Sequence, residues 1–252
     1  MTVADAIACA LKREGVKYLF AYPVNPLIEA AAKLDIRPII VRQERIGLHM
    51  ADAIGRLSSG KQIGVFCMQH GPGTENAYGG VAQAYGESSP ILVLPAGYNR
   101  ELAHISPNFN AYLNFQHITK SCETLSSSAA TEEVIRRAFT RVRNGRPGPV
   151  LVEIPADLFG EELPQSFNYT PVPVTRSAPD PEAVEKASIA LLEAKRPVIY
   201  AGQGIHYAEA WDSLKTLAEL LEAPVGTSLS GKSAFPETHP LSLGGGGLAV
   251  PQ

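Results

Sequence analysis

The sequence predicts an α/β protein: a mainly parallel sheet flanked by helices, followed by a shorter second α/β unit. Three observations carry this. Short, continuous apolar runs recur along the chain, each is followed by a stretch with helical spacing, and a proline-rich segment without periodicity separates two such series. Strands that are apolar at every residue are buried on both faces, as a parallel sheet covered by helices requires.

The elements follow in order. Residues 1–16, MTVADAIACALKREGV, form an amphipathic helix; Asp5 and the late charges Lys12, Arg13 and Glu14 do not suit a signal peptide. Then come a strand at 18–21, a helix at 25–33, a strand at 38–41, a helix at 44–57, a strand at 62–67, a helix at 74–85 and a strand at 90–94. A helix at 131–143 and a strand at 149–154, stopped by Pro155, complete a first domain assigned to residues 1–165. The stretch 161–180, EELPQSFNYTPVPVTRSAPD, holds four prolines and no period, so 166–180 reads as an extended linker. Beyond it a helix at 181–194, a strand at 197–201, a helix at 208–221 and a strand at 223–225 begin a second domain, 181–252. Two or three parallel strands bury little on their own. This domain is therefore expected to be partial, either cut short or completed by a partner.

Composition narrows the function classes. The chain has 252 residues, 45% hydrophobic and 19% charged, with a net charge of −3 and both signs scattered. That suits a soluble globular protein; no basic stripe points to nucleic acid, and no apolar run is long enough for a membrane helix. Cys9, Cys67 and Cys122 are odd in number and far apart, and read as buried, reduced thiols in a cytoplasmic protein. The sequon Asn168-Tyr169-Thr170 has meaning only in a secreted chain.

Nucleotide motifs are weak. Residues 226–233, GTSLSGKS, match the P-loop pattern, but that loop works by aiming backbone N–H groups and a helix N-terminus at phosphate. Here Pro236 and Pro240 follow within one turn of each other, and no helix of ten residues can start. A strand entering a glycine-rich loop is the reading preferred. Gly71-Pro72-Gly73 and Gly202-Gln203-Gly204 each lack the third glycine of a dinucleotide fingerprint, which in the first case is replaced by Asn76. Histidines 49, 70, 104, 117, 206 and 239 show no metal-ligand spacing.

Ligands of open parallel sheets bind beyond the carboxyl ends of the strands. Three loops there are polar: Tyr22 to Pro26, Arg42 to Glu44, and Gln69 to Asn76. Glu44 opens a helix. The plain reading is an acid in a first turn favoured by the dipole. However, it follows a buried strand, and Gly47, Ala51, Ala53 and Gly55 leave space for close approach along its helix. A carboxyl buried among apolar groups holds a proton more readily. His70, at a strand end in a glycine loop, is a second candidate.

Together these loops resemble a known family. EGVKYLFAYP, VRQERIGLHMADAIGR, GPGTENAYGGVAQAYGESSPILVLPAG, NFQHITK and RPGPVLVEIPADL are similar to the pyrimidine-binding domain of thiamine-diphosphate enzymes of the acetolactate synthase type. EAKRPVIYAGQGIHYAEA and LAELLEAPVGTSLSGKSAFPETHPLSLG resemble the start of their central domain. The resemblance covers nearly the whole chain and implies a 2-oxo acid carboligase or decarboxylase working through a cofactor ylide. Glu44 would hydrogen-bond the aminopyrimidine ring of thiamine diphosphate. Pro23, Gly71, Gly73 and Asn76 would help to hold that ring, while His70, Phe115 and Gln116 would lie near the substrate. The family also implies at least a dimer, a homodimer or tetramer, because the cofactor lies between subunits.

The sequence departs from the family in three places. Val24-Asn25-Pro26 stands where glycines are usual, and Gln69-His70 replaces the usual Thr-Ser; a histidine there could bind a carboxylate or act as an acid. The family holds Mg²⁺ and the diphosphate on a Gly-Asp-Gly…Asn motif in a C-terminal domain, and no Asp of this chain precedes a Gly. The chain is therefore expected to be an N-terminal portion or one half of a split enzyme, inactive alone. Whether FAD binds in the central domain stays open. Two other readings stand beside this one: a non-catalytic binding or assembly module that kept the fold, and a nucleotide-binding α/β protein.

Overall fold

A computed structural model describes residues 1–246. The chain divides into two compact units, Met1–Arg176 and the residues from Ser177 onward. No helix among the described residues is long and apolar enough to cross a membrane.

The first unit runs α1 (Val3–Arg13), β1 (Tyr18–Ala21), α2 (Leu27–Lys33), β2 (Arg37–Ile40), α3 (Glu44–Leu57), β3 (Gly64–Met68), α4 (Pro72–Gly86) and β4 (Ile91–Gly97). It continues with α5 (Ala111–Phe115), β5 (Ser121–Thr124), α6 (Thr131–Arg143) and β6 (Val150–Pro155). All six strands are parallel, in the order β2-β1-β3-β4-β6-β5. The helix at 44–57, the strand at 18–21 and the helix at 131–143 match their expected spans; most other boundaries move by one to three residues. Two elements, α5 and β5, were not foreseen.

Alternation along the strands divides the core in two. Leu19, Val65, Cys67, Leu92, Leu94, Val150 and Val152 pack with α1, α2 and α6. Phe20, Phe66, Met68, Ile91, Val93 and Leu151 pack with α3, α4 and α5. Successive side chains of a strand point to opposite faces, so a two-sided sheet needs apolar residues at both parities.

The glycines and alanines of α3 are used for packing. A Cβ on Gly47 would lie 2.3 Å from the Phe66 ring, one on Gly64 only 1.9 Å from the Ala51 carbonyl oxygen, and one on Gly55 3.0 Å from Pro90. Across the helix pair, a Cβ on Gly80 would lie 2.8 Å from Leu48. The close approach expected along α3 is thus made by the sheet and by α4, not by a ligand.

The expected linker is extended, but much of it is tied to the first unit. Tyr169 is 2% exposed and belongs to the core under α1 and α6. Its hydroxyl donates to Glu14, its carbonyl accepts from Arg13, and Glu14 pairs with Arg143. Asn168 N donates to Glu132 at 2.9 Å and Thr175 N to Asn144 at 2.7 Å. These bonds explain why a segment without periodicity holds a fixed course. All three cysteines are free; Cys67 is buried, while Cys9 and Cys122 are only partly so.

The second unit contains α7 (Pro181–Glu193), β7 (Ile199–Ala201), α8 (Gly204–Ala208), α9 (Trp211–Leu221), β8 (Val225–Thr227) and β9 (Ser242–Gly245). Its sheet is parallel, ordered β7-β8-β9. Asp180 caps α7 by accepting from Ala183 N, with Pro181 at the first helical position. The core is small: Ala201, Leu214, Ala218, Val225, Ala234 and Phe235. The GTSLSGKS stretch leaves β8 into turns, and no helix follows it among the described residues. Lys232 pairs with Glu237 at 3.3 Å, and a Cβ on Gly231 would collide with the Ala201 carbonyl at 2.5 Å. The glycine is there for packing, and the phosphate geometry of a P-loop is absent.

Candidate active site

The strand order reverses between β1 and β3, because the chain leaves β1 toward β2 on one side and β3 toward β4 on the other. Loops diverge at such a point and open a crevice at the carboxyl ends. A cleft of about 510 Å³ lies there, lined by Tyr22, Pro23, Val24, Val41, Arg42 and Gln69.

Asn25 builds this end of the sheet. Its side-chain amide donates to the carbonyls of Met68 at 3.0 Å and Leu94 at 3.2 Å, and its Oδ1 accepts from Leu27 N at 3.0 Å. One side chain, 5% exposed, thus ties the ends of β3 and β4 to the first turn of α2. The departure seen in Val24-Asn25-Pro26 has a structural use at Asn25, while Val24 projects 75% exposed.

Glu44 is the first residue of α3 and only 3% exposed. Gln43 before it is extended, with no side-chain cap on the helix. The Asn76 amide, on α4, donates to Glu44 Oε2 at 3.3 Å. The other oxygen, Oε1, takes no hydrogen bond among the described residues. It lies beside Gly73, where a Cβ would stand 3.3 Å from it and 2.6 Å from Gln69 Cγ, so the glycine makes room for the Gln69 side chain next to this oxygen. Glu44, Gly73 and Asn76, from two helices on the same face of the sheet, are therefore brought together.

Gly71 precedes α4 with φ +55°, a conformation that glycine adopts without a Cβ penalty. A Cβ there would also lie 2.8 Å from the Tyr98 hydroxyl. Thr74 Oγ1 donates to the Gln69 carbonyl at 3.1 Å and closes the turn. His70 is exposed at its tip and packs edge-on against Tyr98, with centroids 4.6 Å apart.

Phe115 is placed in the interior. It is fully buried in the core of the α3–α4 face, against Tyr78 and Phe109 at 5.3 and 6.3 Å. A ring enclosed on that side fills the interior. Gln116 next to it is exposed, its amide 3.5 Å from the Leu113 carbonyl. Arg42, Gln69 and Asn25 were not singled out in the sequence as site residues. Their common signal is position, since all three follow a strand directly or within four residues.

Two family models match the chain. One is the thiamine pyrophosphate enzyme N-terminal TPP binding domain, over residues 1–125, and the other the central domain of the same enzymes, over 184–252. Among similar proteins, the "Probable acetolactate synthase large subunit" of Methanocaldococcus jannaschii is 35% identical over 97% of this chain and 43% of its own length. The "Glyoxylate carboligase" of Escherichia coli O157:H7 is 34% identical over 98% of this chain and 43% of its own. A solved structure of a candidate thiamin diphosphate-dependent enzyme from Mycobacterium smegmatis superposes with a TM-score of 0.85 at 26% identity, over 97% of this chain and 48% of that one. The chain thus spans less than half the length of these relatives. With both domain models matched in chain order on the expected fold, the chain belongs to the thiamine pyrophosphate enzyme family.

Proposed function

We propose that the chain supplies the aminopyrimidine-binding side of a thiamine-diphosphate site, in an enzyme that makes or breaks a carbon–carbon bond of a 2-oxo acid in the manner of acetolactate synthase. One observation carries the proposal: a buried carboxyl, Glu44, at the switch point of the sheet, with one oxygen held by Asn76 and the other without a hydrogen bond among the described residues, beside Gly73.

These residues fit the group. Oε1 of Glu44 is an acceptor without a hydrogen-bond partner among the described residues; it lies beside Gly73, and a flat ring reaches it when the neighbouring Gln69 side chain turns aside. Gly71 brings the backbone around the same corner, and Pro23 forms part of the cleft wall. When bound, the cofactor supplies the carbanion and the electron sink that decarboxylation needs. The part of Glu44 is to exchange a proton with a ring nitrogen at Oε1, while Asn76 fixes the carboxyl plane. Burial excludes water from that exchange. Such a positioned acid–base group contributes about 10²–10⁴-fold to rate. His70, exposed next to the cleft, and Gln116, with the buried Phe115 ring behind it, are the substrate-side residues of the proposal.

The diphosphate needs a different set of groups. Among the described residues no group of three His, Cys, Asp or Glu could hold a metal ion. Mg²⁺ is bound by carboxylates, carbonyls, water and phosphate. The proposal therefore places Mg²⁺ and the diphosphate grip in another domain or chain, with the pyrimidine side of one subunit facing the diphosphate side of another in a dimer or tetramer.

The test uses the assembled enzyme, purified with the polypeptide that carries the diphosphate motif. Glu44→Gln is expected to lower 2-oxo acid turnover by at least about 10²-fold, while thiochrome fluorescence still shows bound cofactor. Wild-type turnover in that variant would end the assignment.

A further inference from the structure

A second cavity opens at the other half of the sheet. It holds about 340 Å³, and its walls include Tyr98, Arg100, His104, Tyr112, Thr124 and Glu153. It lies over the carboxyl ends of β4, β5 and β6, where the strand order turns back a second time as β4-β6-β5. The loop after β4 runs to α5 on one face of the sheet and the loop after β5 to α6 on the other. Loops parting in this way make a crevice by the same rule as the first.

Glu153 is the unusual residue in it. The strand reads Val-Leu-Val-Glu-Ile-Pro, and its other five residues are buried. Thr124 Oγ1 donates to Glu153 Oε2 at 3.1 Å, and no cation pairs with this carboxyl among the described residues. Burial raises its affinity for a proton, against the smaller effect of Thr124. On the neighbouring strand β4, Gly97 makes room for this side chain; a Cβ there would lie 2.9 Å from Glu153 Cγ. The guanidinium on the wall is committed elsewhere. Arg100 Nε binds Asp157 at 2.6 Å, its backbone N binds the same carboxylate at 3.0 Å, and its other end pairs with Glu161.

We propose that this cavity binds a small organic ammonium compound, its charged head on the Glu153 carboxylate and its apolar body among Tyr98, Phe109 and Tyr112. A carboxylate removed from water gains most from a cation that brings its own donors. Aromatic faces also attract such a cation, and the volume falls in the usual range for small-molecule pockets. An anion would meet one free carboxylate, a guanidinium already shared between two others and, of the remaining wall, only the His104 imidazole as a group able to carry positive charge. A bare metal ion would find a single carboxylate where several oxygens are needed. The site is independent of the cofactor reading, but it touches it at one residue. Tyr98 packs on His70 and abuts Gly71, so an occupant is one ring away from the loop beside Glu44.

The test titrates the 252-residue chain with benzylammonium, and with benzyl alcohol and benzoate as neutral and anionic probes of the same shape. Binding is read by calorimetry and by NMR. Saturable binding of benzylammonium is expected, at least about tenfold tighter than either control. In Glu153→Gln, shown to be folded by circular dichroism, that affinity is expected to fall by about tenfold or more. Three probes binding alike, or benzylammonium failing to bind, would overturn the proposal, as would undiminished binding in the folded variant. If the variant does not fold, the three-probe comparison on the natural chain decides alone.

Discussion

Glu44 and Glu153 are both carboxylates brought to the carboxyl ends of one sheet, but they are held differently. Glu44 takes a bond from an amide on a neighbouring helix, and Glu153 one from a threonine hydroxyl on the edge strand. Burial favours the protonated form of Glu153, so its pKa in the folded chain lies above the ordinary glutamate value. A raised carboxyl pKa means that folding takes up a proton. Its contribution is fully present below the ordinary value and is lost as pH rises through the raised one. Glu153→Gln removes that loss. In chemical denaturation the variant is expected to gain stability relative to wild type at pH 7, and the gain to shrink as pH falls to about 4. A gap that stays the same at both pH values would contradict this. Glu44 was legible in the sequence because it opens a periodic helix just after an apolar strand. Glu153 was not, because one acid inside an apolar run looks like an outward-facing strand residue. The enclosure of Phe115 was not legible either: a motif match singled it out, while its place among three aromatic rings in the core comes from tertiary packing.

At the scale of elements, periodicity served well where the sequence is strongly patterned. The span of α3 was read in full because its apolar residues repeat at helical spacing and a charged residue begins it. The start of α2 was set two residues too early, since Asn25 looks helical in sequence but uses its side chain to clamp β3, β4 and the first turn. The strand β5 was missed because an edge strand with one partner needs no continuous apolar run; Ser-Cys-Glu-Thr gives no such signal. The α3–sheet contact offers a direct check on packing. Gly64→Ala sets a methyl 1.9 Å from a backbone oxygen that cannot swing away. It is expected to cost about 3 kcal/mol, the upper part of the usual overpacking range. Gly86→Ala, at the end of α4 with nothing within 4 Å of the new Cβ, is the control and should be neutral or slightly stabilising. Urea denaturation of both variants measures this; equal effects would show that the helix does not sit as tightly on β3 as described.

At the scale of the whole molecule, the fold class could be read from alternating apolar runs and helical stretches and the family from long motifs, but the strand order could not. Periodicity says that strands are buried and parallel, not which neighbours they choose, and the crevice depends on that choice. The strap through Tyr169 was also hidden, because its order comes from bonds to Glu14, Arg13, Glu132 and Asn144, far away in sequence. The proposed function rests on one carboxyl at the β1–β3 crevice. A crystal structure of the assembled enzyme with thiamine diphosphate tests this most directly. The account predicts a Glu44 carboxyl oxygen within about 2.6–3.2 Å of an aminopyrimidine ring nitrogen. An aminopyrimidine ring bound elsewhere, with Glu44 still held only by Asn76, would contradict it.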